Sequence, residues 1–309
     1  MKPAETSQIA VIGLGSMGLG VASTLLRAGR TVSGYDPVPE ACAKFEEAGG
    51  RLATDPAAAS RDASVVVIVV VTAAQTEAVL FGTDSHEGAV ATMRRGGVVL
   101  SSATMAPDDV RRLAERCEAA GVDYLDAPMS GGMARAASGE LTVMASGSPA
   151  AFALADPILA IMATTVYRLG DKPGIGASFK MVNQLLAGVH IAAACEAITF
   201  AKRLGLDINK VFEVITASAG NSWMFENRVP HVLKGDYSPA SAVDIFVKDL
   251  GIVANMGLAA KFPTPVAASA LQLFLMTSAA GMGRDDDASV ARLFAQMTGL
   301  DLPGGAKAK

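Results

Sequence analysis

The sequence predicts an α/β chain, with a doubly wound parallel-sheet domain over residues 1–172 and an all-α domain over residues 173–309. Three observations predict it. Short apolar, β-branched runs alternate with helical stretches as far as about residue 170, which is the signature of successive βαβ units. Residues 9–36 read IAVIGLGSMGLGVASTLLRAGRTVSGYD, a strand, glycine turn, helix, second strand and acid in order. After Gly170-Asp171-Lys172-Pro173-Gly174 the strand signals stop and only helical periodicity follows.

Ile9–Ile12 is a buried strand that runs directly into Gly13-Leu14-Gly15-Ser16-Met17-Gly18. The helix after it carries Val21, Leu25 and Leu26 on one face and stops at Gly29. A second strand, Thr31–Tyr35, ends at Asp36. This is the dinucleotide-binding unit of a Rossmann domain. Gly13 permits the tight turn, Gly15 lets a pyrophosphate reach the backbone, and Gly18 lets helix and strand pack closely. The helix N-terminus offers N–H groups and a positive dipole end to phosphates. Leu14, Ser16 and Met17 complete the cofactor loop. Asp36 accepts bonds from ribose hydroxyls and repels a 2′-phosphate, so the expected cofactor is NAD rather than NADP.

Further strands are expected at Val65–Val71, Val98–Leu100, Tyr124–Ala127, Thr142–Ala145 and Val166–Leu169. The first is β-branched throughout, as a central parallel strand should be. Thr72, directly after it, is counted among the cofactor-contacting residues. Pro107–Ala120 reads as a helix, with Pro in its first turn and Gly121 past its end. Beyond residue 174, helices are expected over 176–204, 208–219, 224–234, 243–260, 265–280 and 288–297. The first is apolar nearly all round and should be buried, partly against a second copy of the chain. A homo-oligomer follows from that expectation.

Composition narrows the function classes. The chain has 309 residues, 51% hydrophobic and 18% charged, which suits a large core. A net charge of −4 gives no reason to expect nucleic acid as a partner. The three cysteines, Cys42, Cys117 and Cys195, have no metal spacing and suit a reducing cytoplasm. His86, His190 and His231 share no metal spacing either, so no metal site is expected. The N-terminal segment is polar rather than signal-like, and the Val65–Val71 run is too short to span a bilayer. Lys307–Lys309 reads as a disordered tail. Asp285-Asp286-Asp287 is expected to begin the last helix, where negative charge suits the N-terminus, or to cap a surface loop.

Two further segments carry candidate chemistry. Asp126-Ala-Pro-Met-Ser130-Gly131-Gly132 follows a strand, where ligands sit in doubly wound folds. Its Ser-Gly-Gly backbone can form a nest for a carboxylate; an ordinary turn has the same composition. In Gly174-Ile-Gly176-Ala-Ser-Phe-Lys180-Met-Val-Asn183-Gln184, three polar residues sit within about one turn of an apolar helix. A lysine there must reach a partner or a ligand, or extend its ammonium to the surface.

These segments, with SSATMAP at 101–107 and Lys248-Asp249, resemble the β-hydroxyacid dehydrogenase family over essentially the whole chain. The resemblance implies that Lys180 is the catalytic acid/base, and that Ser130, Gly131 and Gly132 bind the substrate carboxylate. It implies that Asn183 and Gln184 position the substrate, and that Thr104 and Lys248 contact the cofactor near the nicotinamide. Gln184 departs from the pattern, since many members have a second Asn; Ala103 departs where members often have Ser-Ser-Thr. Within the family, QLLAGVHIAAACEA at 184–197, AGNSWMFENR at 219–228 and SAVDIFVKDLG at 241–251 resemble the branch that oxidises L-threonate. That likeness gives Asn221 or Ser222 the extra hydroxyls of a four-carbon sugar acid, beside Trp223 as a pocket wall or plain packing.

The implied reaction removes a hydroxyl proton while hydride leaves carbon for NAD, a role that needs a lysine able to release its proton near neutrality. A 3-hydroxyisobutyrate dehydrogenase, or a dehydrogenase of the tartronate semialdehyde/glycerate pair, is the alternative. A non-catalytic NAD-sensing module is the alternative of another class; it would have no use for Lys180.

Overall fold

A computed structural model describes residues 8–304. The chain forms two compact units that divide between Lys180 and Met181. The first begins with β1 (Ile9–Ile12), α1 (Ser16–Arg27), β2 (Val32–Tyr35), α2 (Pro39–Glu47), β3 (Arg51–Leu52), α3 (Pro56–Ser60), β4 (Val65–Ile68) and α4 (Ala73–Phe81). A small hairpin, β5 (Gly82–Thr83) and β6 (His86–Glu87), leads to β7 (Val98–Ser101), α5 (Pro107–Ala119) and β8 (Asp123–Asp126). Then come β9 (Met129–Ser130), α6 (Gly132–Ser138), β10 (Leu141–Ala145), α7 (Pro149–Met162) and β11 (Ala163–Arg168). The long helix α8 (Ile175–Arg203) contributes its first residues, through Lys180, to this unit and the rest to the second.

The main sheet has six parallel strands in the order β3-β2-β1-β4-β7-β8. The order reverses between β1 and β4, the switch point of a doubly wound sheet. The continuous apolar runs are explained by burial on both faces. Ile9, Val11, Val65, Val67, Val98 and Leu100 pack with α1 and α7 on one face. Ala10, Ile12, Val66, Ile68 and Val99 pack with Leu80, Val110 and Leu113 on the other.

Two expected strands do not join this sheet. Segments 141–145 and 163–168 form a separate three-stranded sheet, ordered β11-β10-β9, with β10 and β11 parallel and β9 antiparallel to β10. Only Ala127 and Pro128 separate β8 from β9, far too few residues for a parallel crossover. The chain therefore turns back, and Asp126 makes an antiparallel bridge with Ser146. The apolar run at 65–71 is also shorter as a strand than its composition suggests, ending at Ile68 before the chain turns to cap α4 at Thr72.

The second unit is helical: the remainder of α8, then α9 (Ile208–Thr216), α10 (Trp223–Lys234), α11 (Val243–Ala259), α12 (Pro265–Thr277) and α13 (Val290–Thr298). Ile191, Cys195 and Ile198 of α8 pack in one core with Phe225, Val229, Phe246, Leu250 and Phe274. Phe246 and Phe274 stack with ring centroids 5.1 Å apart, a favourable aromatic separation. The chain itself covers α8 on one side and leaves exposed the faces for which cover by a second copy is expected. One stripe is buried, whereas Phe179, Val182 and Phe200 are 53%, 63% and 61% exposed. By length and composition alone, α8 and the segment Pro265–Met282 could each cross a membrane. The buried stripe of α8 gives its hydropathy a use within the folded chain, and Gly281 at φ +88 breaks the helical path of the other segment.

The acidic run does lead into the last helix, with Asp286 accepting from Ala288 N at 3.1 Å. It does much more than complement a dipole. Asp285 pairs with Arg292 at 2.6 Å, Asp286 lies 3.0 Å from His231, and Asp287 pairs with Arg228 at 2.5 Å. Asp286 and Asp287 are fully buried. Burial works against the Asp286 carboxylate, but His231 and the Ala240 and Ala288 N–H groups hold it below the usual range. Burial pushes Asp287 up to about 6 against the pull of Arg228. The expected tail at 307–309 lies outside the described residues. Removing one partner of a buried ion pair strands the other, so Asp287→Ala is expected to lower the unfolding free energy by about 3–5 kcal/mol in urea denaturation. A loss within the range of ordinary surface substitutions would show that the Arg228 pair does not hold this segment.

Candidate active site

Strand register gathers the sequence-predicted residues of the first unit along one edge. Tyr35, Ile12, Ile68, Ser101 and Asp126 stand side by side across β2, β1, β4, β7 and β8. The chain leaves these ends as Asp36, Gly13, Val69, Ser102 and Ala127, with Thr72 and Thr104 a few residues further on. Ligands of doubly wound sheets bind beyond this carboxyl edge.

The glycine loop is sterically specified. Gly13 has φ +90, and a Cβ there would lie 2.3 Å from the Val69 carbonyl oxygen. A Cβ on Gly18 would lie 1.8 Å from the Gly13 carbonyl oxygen. Around Gly15 the opposite holds: a Cβ would meet nothing within 4 Å. The first and third glycines are thus required by the protein's own packing, while the second faces open space that a ligand can approach. Gly15 is also the N-cap of α1 and supplies no side chain to cap it, so the first-turn N–H groups of Ser16 and Met17 head an α-helix without a side-chain cap. Asp36 is fastened to the same loop: its Oδ2 accepts from Leu14 N at 2.7 Å and its Oδ1 from Val38 N at 2.9 Å. These residues fit a dinucleotide, with a backbone cradle for diphosphate and a fixed carboxylate for ribose hydroxyls. Thr72 is the N-cap of α4 in a full capping box with Gln75.

Lys180 is 7% exposed, and its Nζ donates to the Met129 carbonyl at 2.8 Å. That brings the ammonium group to the residue before Ser130-Gly131-Gly132. Gly131 and Gly132 have φ of +132 and +74, a backbone path that favours glycine at both positions. The start of the lysine helix is held by two buried side chains. Asp126 Oδ2 accepts from Gly174 N at 3.0 Å, Ala177 N at 2.8 Å and the Ser146 hydroxyl at 3.2 Å. Ser146 Oγ accepts from Gly176 N at 2.9 Å. Burial pushes the Asp126 carboxyl up to about 6, and the hydrogen bonds from Ala177, Gly174 and Ser146 oppose that rise.

In the second unit, Asn183, Gln184 and Lys248 form one polar chain. Asn183 Nδ2 donates to Gln184 Oε1 at 3.0 Å, Gln184 Nε2 donates to Asp249 Oδ2 at 2.5 Å, and Lys248 Nζ pairs with Asp249 Oδ1 at 2.7 Å. Asp249 is 1% exposed. Asn221 and Ser222 are engaged locally. Ser222 Oγ accepts from Phe225 N as the cap of α10, and Asn221 Nδ2 donates to Thr216 O and Glu226 Oε1. Asn221 Oδ1 is buried without a hydrogen-bond partner, and Trp223 is 49% exposed.

Sequence reasoning assigns no role to Asp126, Ser146 or Asp249. The available signal is an acid in an apolar context, in Tyr-Leu-Asp at a strand end and Val-Lys-Asp-Leu on an apolar helix. A buried carboxylate has to be bonded by something.

Residues 8–170 match the family described as the NAD-binding domain of 6-phosphogluconate dehydrogenase. Residues 174–294 match the family described as NAD-binding of NADP-dependent 3-hydroxyisobutyrate dehydrogenase. An L-threonate dehydrogenase of Cupriavidus necator is 53% identical, covering 97% of this chain and 99% of the relative. An L-threonate dehydrogenase of Escherichia coli K12 is 45% identical, covering 98% and 99%. Among solved structures, a 3-hydroxyisobutyrate dehydrogenase from Salmonella typhimurium superposes with a TM-score of 0.88 at 46% identity, covering 93% of this chain and all of the other.

The packing of Gly18 on Gly13 gives a direct test of the loop. Gly18→Ala is expected to displace the turn and weaken dinucleotide binding in titration calorimetry by at least about tenfold, on the scale of a one-ångström misplacement. Unchanged affinity would mean that the loop geometry does not set cofactor binding.

Proposed function

The chain belongs to the β-hydroxyacid dehydrogenase family, and on that footing we propose that it oxidises L-threonate at C2 to the 2-oxo acid, with NAD⁺ as hydride acceptor. The observation that carries the chemistry is the buried Lys180 amine, 2.8 Å from the carbonyl that precedes Ser130-Gly131-Gly132. The substrate rests on the two L-threonate dehydrogenases that match nearly the full chain at 53% and 45% identity.

Each residue then has a task. Ser130, Gly131 and Gly132 hold the substrate carboxylate, which sets C2 and its hydroxyl beside the lysine. Asn183 and Gln184 orient the hydroxyl-bearing carbons; the bond from Gln184 to Asp249 fixes the Gln184 amide. Ser222 accepts the α10 cap bond and keeps its O–H as a donor, so this segment offers a substrate hydroxyl the Ser222 proton and the Asn221 carbonyl oxygen. Lys180 Nζ takes the hydroxyl proton and, in reverse, returns it to the forming alcohol. The nicotinamide ring, when bound, accepts hydride. Gly13 to Gly18 hold the diphosphate, Asp36 the ribose hydroxyls, and Thr104 and Lys248 the nicotinamide end, with Thr72 a further contact to the dinucleotide. The preference for NAD over NADP rests on Asp36. Residues 37–40, Pro-Val-Pro-Glu, add no cation to hold a 2′-phosphate.

Assembly as a homo-oligomer is supported by the apolar side chains that the second unit exposes, among them Phe200, Leu258, Phe262 and Val266. Three free thiols suit the reducing cytoplasm. A second substrate reading, 3-hydroxyisobutyrate, is favoured by the likeness to the Salmonella 3-hydroxyisobutyrate dehydrogenase at 46% identity.

NADH formation with L-threonate, D-threonate, D-erythronate, D-glycerate and 3-hydroxyisobutyrate separates these readings. Turnover confined to L-threonate is expected. Turnover mainly of 3-hydroxyisobutyrate or glycerate would replace the substrate, and NAD binding without any turnover would favour a sensing module. Asp36→Ala is expected to weaken NAD and narrow its advantage over NADP; an unchanged cofactor ratio would remove Asp36 from that role.

A further inference from the structure

The proposed chemistry uses Lys180 but says nothing about what holds it. Lys180 lies one helical turn after Ala177, at the beginning of α8. An α-helix leaves its first N–H groups without intrahelical partners. Here those of Gly174, Gly176 and Ala177 are satisfied by side chains from distant strand ends, at 3.0, 2.9 and 2.8 Å. Asp126 and Ser146 supply them, and both are buried, at 1% and 0% exposure. The two residues are themselves locked together, by reciprocal backbone hydrogen bonds of 3.0 and 2.8 Å.

The fit is close. A Cβ on Gly176 would lie 2.3 Å from the Met144 carbonyl oxygen and 3.1 Å from Asp126 Oδ2. The helix start therefore presses on the carboxylate, with no room for a side chain between them. Asp126 is also three residues from Met129, whose carbonyl receives the Lys180 ammonium. One short segment, 126–132, thus grips α8 at its first turn, meets the lysine at its second, and continues as the Ser-Gly-Gly turn.

We propose that Asp126 is the positioning residue of this active site: through the first turn of α8 it sets the distance between the Lys180 amine and the Ser130–Gly132 turn, without touching substrate. The proposal rests on the assignment of Lys180 as acid/base. It explains why a carboxylate is kept where burial penalises its charge. A negative group at a helix N-terminus offsets part of that penalty through the dipole and the N–H bonds. A neutral residue would leave the Gly174 and Ala177 amides without a charged acceptor.

Two measurements test it. The first is hydrogen exchange of the segment 174–180 in the full-length protein, read for wild type and Asp126→Asn. Exchange there is expected to quicken at least about tenfold in the variant, following the loss of charge-assisted bonds at the helix start. The second is a kinetic cycle on the preferred hydroxy acid, with Asp126→Asn, Asp126→Ala, Lys180→Ala and the Asp126→Asn/Lys180→Ala double variant. Asp126→Ala is expected to lower kcat about 100-fold, as a misplacement of about an ångström does. Asp126→Asn, which keeps an acceptor oxygen, should lose less and partly rescue it, with dinucleotide affinity unchanged in both. In the Lys180→Ala background, Asp126→Asn should cost nothing further, because residues that act as a unit are not additive.

Unchanged exchange overturns the proposal, as do losses that add fully to that of Lys180→Ala. So does a rise in KM or in cofactor Kd that accounts for the whole effect. Failure of the functional reading looks different: wild type would turn over no hydroxy acid, or Lys180→Ala would keep its rate, whatever the exchange of 174–180 does. If Asp126→Ala does not fold, the asparagine variant carries both measurements.

Discussion

A lysine buried on an apolar helix constrains everything near it. An ammonium group taken out of water without acceptors costs several kcal/mol, enough to offset a large share of a domain's net stability. Lys180 is 7% exposed, and its Nζ bonds the Met129 carbonyl. For that bond to form, α8 has to start at one particular place against β8 and β10. Gly174, Gly176, Asp126 and Ser146 all serve that placement. The same segment supplies the Ser-Gly-Gly turn, so satisfying the buried amine and placing that turn beside it are one structural act.

The second unit uses buried charge in two different ways. Arg228 with Asp287 and His231 with Asp286 join the segment 285–289 to α10, and no sequence-predicted site residue takes part. Asn183, Gln184, Asp249 and Lys248 form a separate chain in which the buried Asp249 carboxylate orients an amide and an ammonium group at once. The first arrangement has every mark of a structural staple. The second ends in groups that the functional reading turns toward substrate and cofactor. Buried ion pairs alone do not distinguish the two; what distinguishes them is that the second contains residues the functional reading assigns to substrate and cofactor.

Much of this is legible in the sequence, for physical reasons that apply residue by residue. Gly13, Gly15 and Gly18 announce themselves because only glycine tolerates the turn, the ligand approach and the packing they serve, and Asp36 because the strand before it fixes where it stands. Strand pairing after residue 126 is not legible. Apolar runs at 142–145 and 166–169 look alike whichever sheet they join, and the turn back at Pro128 is a three-dimensional event. Which face of α8 the chain itself covers escapes a sequence reading because composition records apolar side chains without recording what covers them. Asn221 and Ser222 read as facing substrate, yet Ser222 is also a good N-cap ahead of Trp223, and the structure uses it so. Asp126 stands in a recognisable motif without an evident task, since a carboxylate at a strand end does not reveal which amides will come to meet it.

The most direct measurement is the rate of Lys180→Ala with NAD⁺ and the preferred hydroxy acid, alongside its NAD affinity. The expected result is a fall in kcat of about 10²–10⁴-fold, the usual contribution of a general acid/base, with NAD affinity unchanged. A variant that binds NAD and turns over near the wild-type rate would contradict the acid/base role, and would assign the buried lysine to structure alone.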